Sequence, residues 1–133
     1  MIITPEQARV KMRRHADKAF RALILECAKR VIFRTPVDTG RARGNWQISI
    51  GSPTTSEFDE DEDGRVTIMG VRSDTKDVDA GQVVYLLNGV PYIIYLERGS
   101  SDQAPGPGAM VAVTIAELQE VAQEVAAIIR RAQ

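Results

Sequence analysis

The sequence predicts an α+β fold: long N-terminal and C-terminal helices packed on a small, mainly antiparallel sheet, with one short helix near residues 91–98. Three observations lead there. Apolar residues recur at three- and four-residue steps toward both ends of the chain, the period drops to two from Asn45, and prolines and glycines punctuate what lies between. At 133 residues the chain suits one domain, residues 1–133, which buries roughly two thirds of the surface it exposes when unfolded.

Thr4-Pro5-Glu6-Gln7 reads as a helix start. Thr4 caps, Pro5 suits the first helical position, and Gln7 closes a capping box. The predicted apolar face runs through Ala8, Met12, Ala16, Ala19, Phe20, Leu23, Ile24, Cys27 and Val31, leaving most of the arginines and lysines on other faces. Pro36 disfavours helical geometry at Thr35, so the helix should end near Arg34. Trp46, Ile48 and Ile50 then alternate with Asn45, Gln47 and Ser49, the pattern of a half-buried strand. RVTIMGV at 65–71 repeats the alternation through Val66 and Ile68 and predicts a second strand. QVVYLL at 82–87, apolar on both faces, predicts a third. The Ser/Thr-rich and then acidic linker at about 52–64 predicts a long exposed loop.

Asn88-Gly89 signals a hairpin, but Pro91 opposes a following central strand and suits the first turn of a helix. PYIIYLER is therefore read as the short helix, with Gly99 as its left-handed cap and SSDQAPGPG as an irregular loop. The last helix should begin between Ala109 and Ile115. Its predicted apolar face is Val111, Ile115, Leu118, Val121, Ala122, Val125, Ile128 and Ile129, with Arg130 and Arg131 at its negative end.

The net charge is only -1, yet the charges are sorted along the chain. Residues 1–46 carry eleven Lys/Arg against four Asp/Glu, whereas residues 47–81 carry three against nine. Such a dipole steers self-association or approach to a charged surface and does not determine a fold. Nothing resembles the roughly 18 apolar residues of a membrane span, and MIITPEQARVKM lacks the apolar core of a signal peptide. Cys27 is the only cysteine, so no internal disulfide forms. These features predict a protein made and kept inside a cell, with no membrane partner.

Asp38-Thr39-Gly40 matches the triad of aspartic proteases. That chemistry needs two carboxylates sharing a proton, and a cation such as Arg41 beside them opposes the sharing. The turn reading has Asp38 accepting nearby backbone amides and Gly40 adopting a left-handed angle. Asp59, Asp61, Asp63 and Gly64 imitate the start of a calcium loop, but Gly70 stands where the bidentate Glu belongs and no flanking helix is predicted. His15 is the only histidine, which argues against a His-based triad or multi-histidine metal site within one chain. Cys27 reads as a small buried hydrophobe. No catalytic residue, metal site or cofactor is expected. The basic first helix leaves a nucleic-acid-binding module as the alternative reading.

Three segments in order resemble the tailed-bacteriophage neck and tail-completion proteins, the group that includes minor tail protein Z-like chains. They are TPVDTGRARGNW at 35–46, VYLLNGVPYIIYLERGSSDQAPGPGAM at 84–110 and the VAVTIAELQEV helix. The resemblance implies a virion component that assembles as a ring, with six copies expected, between the head connector or stopper and the tail terminator, with DNA passing through. It implies that Val-Asp-Thr-Gly-Arg is a structural turn. It also places subunit or partner contacts at Asp38, Gly40, Arg41 and Arg43, and at Tyr92, Glu97, Gly99, Gln103 and Pro105. The expected location is the virion neck, after assembly in the bacterial host cytoplasm.

Overall fold

The first helix, α1 (Pro5–Arg34), is fixed at its start by the capping box that its sequence encodes. Gln7 donates its amide N–H to the Thr4 hydroxyl at 3.1 Å, and the Thr4 amide donates to the Gln7 side chain at 2.9 Å. The computed structural model describes residues 2–99 and 109–131. After α1 come α2 (Arg41–Gly44), β1 (Trp46–Ile50), α3 (Arg65–Thr75), β2 (Val84–Asn88), α4 (Ile93–Arg98), α5 (Met110–Ala116) and α6 (Leu118–Arg131). The chain is an α+β protein of helices and a two-stranded antiparallel sheet, Trp46 facing Asn88 and Ile50 facing Val84.

The core lies where the second half of α1 meets α3, α5, α6 and the sheet. Ala28, Val31 and Ile32 are the buried residues of α1, and Val71, Val78, Leu96 and Met110 close over them. Full burial of one such side chain contributes about 1.5–3 kcal/mol. The predicted apolar face of α1 is real only in this second half. Met12 is 71% exposed, because the other elements pack beside the helix C-terminal to about residue 17; within the covered half the buried positions are Ala28, Val31 and Ile32, so Cys27 lies at the edge of that stripe and is only half-buried. A 30-residue helix spans roughly 45 Å, more than the rest of this small body covers.

The segment 65–71 is a helix, not the expected strand. Its Val/Thr/Ile content favours a strand locally, but Thr67, Val71 and Thr75 recur every four residues and are buried, with Ile68 half-buried beside them. The carboxylate of Asp61 accepts the Thr67 amide at 2.8 Å and the Thr67 hydroxyl at 2.7 Å, supplying that amide with the acceptor it lacks within the helix. Contact with α1 and this remote cap override the propensity. The sheet is accordingly two-stranded among the described residues.

The C-terminal helical region is broken at Glu117. The Thr114 hydroxyl bonds back to the Met110 carbonyl at 2.7 Å, a contact that bends helices, and the Glu117 carboxylate is held by Arg34 at 2.5 Å and Arg30 at 3.4 Å. The buried stripe is Met110, Thr114, Val121 and Val125, whereas Ile115, Leu118, Ala122 and Ile128 of the expected face are exposed. Arg30 also reaches Glu26 and Glu124, which fastens α6 alongside α1.

Candidate functional site

The segment Thr35–Gly44 makes a sharp corner between α1 and β1, and its backbone explains its composition. Gly40 has φ of +88°, a left-handed angle, and its carbonyl accepts both the Gly44 amide at 2.9 Å and the Asp61 amide at 3.0 Å. A Cβ on Gly44 would overlap the Asp59 carbonyl. The acidic loop therefore lies directly on this corner. The side chain that accepts a backbone amide in the turn is Thr39, from Arg41 at 3.2 Å, while the expected acceptor Asp38 stands exposed. Thr39 sits two residues before the amide it serves, the spacing of a Ser/Thr turn.

Arg43 is the clamp of the corner. Its guanidinium donates to the carbonyls of Phe33 at 3.1 Å, Thr35 at 2.9 Å and Glu62 at 2.7 Å, joining the end of α1 to the acidic loop. Cations suit helix C-termini, where carbonyls lack intrahelical partners. Burial pushes the guanidinium down from its ordinary value, while Asp61 and Asp63 pull it back up. For Asp61, burial pushes the carboxyl up, but hydrogen bonds from Thr67, Asp63 and the Gly64 amide together hold the group below its ordinary value.

Asn45 and Gln47 alternate with the apolar Trp46 and Ile48 in what the sequence marks as a half-buried strand, yet they too are buried, 3% and 7% exposed. Each uses its amide as a strand would use its backbone. Asn45 donates to the Phe58 carbonyl and accepts the Phe58 amide at 2.9 Å; Gln47 donates to the Ser56 carbonyl at 2.8 Å and accepts the Ser56 amide at 2.7 Å. Although the acidic loop is mostly exposed, as expected, it is stitched along β1 by these two side chains. Its backbone groups needed partners, which was the available signal for these residues.

The second segment meets the first here. The Arg41 guanidinium lies 5.7 Å from the centroid of the Tyr92 ring, and Asn88 donates its side-chain amide to the Ala42 carbonyl at 2.7 Å. Asn88 also accepts the Val90 amide, so the chain turns into α4 instead of forming a hairpin. Glu97 is set apart from this meeting point. Its two carboxylate oxygens accept the amides of Val111 at 2.9 Å and Ala112 at 3.0 Å, capping α5. Gly99 ends α4 with φ of +74°, as its composition predicts. Gln103 and Pro105, and the SSDQ to PGPG loop around them, lie outside the described residues.

The structure thus unites Arg41 with Tyr92, assigns Gly40, Arg43 and Glu97 to holding the fold, and leaves Asp38 exposed. A helix does follow the calcium-like run, contrary to expectation, but Asp61 is turned inward to Thr67 and Asp63 accepts the Arg65 amide. Among the described residues no three His, Cys, Asp or Glu side chains are placed to hold a metal ion, and no helix is long and apolar enough to cross a membrane. For Cys27, burial pushes the thiol up more than Arg30 draws it down. No family model matches the chain, and neither does any curated protein or solved structure.

Proposed function

We propose that this chain is a structural subunit of a tailed-phage neck, joining head connector and tail as a ring, with six copies, through which DNA passes. Its work is binding, with affinity from many weak contacts made together around a closed ring. One observation carries most weight. Two of the three segments on which the resemblance rests, some 50 residues apart, touch through the Arg41–Tyr92 contact and the Asn88 bond to Ala42. Segments that meet on a rigid corner present a fixed shape to a neighbour, which suits assembly.

The test is genetic and microscopic. Genes for portal, capsid and tail tube should flank this one, and particles made without the chain should show filled heads and finished tails that are not joined. Joined particles of normal number would overturn the reading. Peptide cleavage that disappears in Asp38→Asn would do the same, in favour of an aspartic hydrolase.

The nucleic-acid reading draws on a different observation. Arg9, Lys11, Arg13 and Arg14 all stand exposed on the first turns of α1. Duplex affinity that falls steeply with added salt would support it, whereas a neck subunit should show little affinity for free DNA.

A further inference from the structure

A groove of about 620 Å³ opens between the acidic loop, β1 and the outer side of α3. Trp46, Phe58, Val66 and Val71 supply its apolar lining. Asp59, Glu60 and Asp74 give it an acidic rim. Gly70 lies within it, in the interior of α3, and a Cβ built there meets nothing within 4 Å. Its φ is not left-handed. A glycine inside a helix weakens it, so the fold gains nothing from Gly70; what a missing side chain permits is close approach of another backbone. Val66, beside it, is 72% exposed.

The complementary surface is the exposed face at the start of α1. Ile3 and Val10 are exposed apolar residues, and Lys11, Arg14 and Lys18 line the same face of the helix. The arm cannot reach its own groove. Because α1 is unbroken from Pro5 to Arg34 and α3 lies beside its second half, the helix carries Val10 roughly 16 Å beyond Arg21.

We infer that the groove receives the N-terminal arm, residues 3–18, of a second copy of the chain. Apolar Ile3 and Val10 enter over Gly70, and Lys11, Arg14 and Lys18 meet the acidic rim. The contact joins two different surfaces, so repetition generates a closed ring or a filament according to the rotation per step. It deepens the neck reading and rests on it for ring closure.

Sedimentation velocity of the full chain, over a range of concentration and salt, tests the docking. Lys11→Glu with Arg14→Glu, or Asp59→Lys with Glu60→Lys, should each weaken self-association about tenfold or more, and the chain carrying all four should recover it. Gly70→Leu, whose side chain fills the groove from open space, should weaken association similarly while the thermal midpoint does not fall. A wild-type chain that stays monomeric throughout overturns the inference, as does association unmoved by either reversal or unrestored by their combination. Duplex binding lost in Lys11→Glu with Arg14→Glu, with association unchanged, also overturns it and assigns the arm to nucleic acid. Each failure is separate from that of the neck reading, which the unjoined-particle experiment decides.

Discussion

The indole N–H of Trp46 donates to the hydroxyl of Thr35 at 2.8 Å, and that hydroxyl donates onward to the Val31 carbonyl at 2.7 Å. Both residues are buried, Thr35 at 1% exposure. This short relay ties the first strand residue to the last turn of α1 and so sets the angle of the corner that carries Gly40 to Gly44. Thr35→Val removes the acceptor and leaves a buried indole N–H unpaired, which should cost about 1–3 kcal/mol. Trp46→Phe in the same background should cost less than it does alone, since no hydrogen bond remains to lose. A urea-unfolding cycle on the four chains checks this, and strictly additive costs would refute the relay.

Gly44→Ala forces a Cβ into the Asp59 carbonyl, so the acidic loop must lift from the corner. A destabilisation of about 1–3 kcal/mol is expected. Amide exchange should quicken at Ser56, Phe58 and Asp61, whose N–H groups are bonded to this corner and strand, more than at Val121 or Val125. Uniform acceleration across the chain would mean that the loop and the core open as one unit.

Gly70→Ala should raise stability by about 0.5–1 kcal/mol, because the added methyl meets nothing while the helix loses less backbone entropy. Thermal unfolding reads this directly. A lower midpoint would show that the glycine serves the fold after all.

Acid should unfold the protein through Asp61 and Glu117, both held below the ordinary carboxylate range. For Asp61, burial opposes the shift and the hydrogen bonds, those of Thr67 foremost, together outweigh it; for Glu117, the Arg34 hydrogen bond leads. A depressed folded value means that the stabilisation is complete above the unfolded value, about 3.9–4.3, and is lost as pH falls through the folded one. Asp74 acts with the opposite sign, since burial and then Asp77 push it up and its protonation favours the folded state. The urea midpoint should stay level from about pH 7 to 5 and drop below about 4. Asp61→Asn should flatten part of that drop, and an unaltered acid limb would remove Asp61 from the account.

Much of this architecture is legible in local chemistry. Thr4, Pro5 and Gln7 state the start of α1, Pro36 its end, and the alternation around Trp46 its strand, because caps, φ restrictions and the pleat act within a few residues. Gly40 and Gly99 were readable for the same reason, since a left-handed angle selects glycine wherever it falls. The candidate site was less so. Arg41 and Tyr92 could be named separately, but their meeting depends on how the corner and the turn into α4 are oriented, which no periodicity encodes. Alternation puts Asn45 and Gln47 on the face opposite Trp46 and Ile48, and reports nothing of what lies upon that face.

The sequence by itself determined both ends of α1, the strand at Trp46 and the turn glycines. Each is a short-range steric or hydrogen-bonding consequence of residue type. Only the tertiary structure decided that 65–71 is helical, that the last helix breaks at Glu117, and that the first turns of α1 are left uncovered. Those outcomes depend on Asp61, Arg30 and Arg34 finding partners across the chain, and on where the second half of α1 leaves room for its neighbours. Local propensities differ by less than such contacts supply, so the contacts prevail.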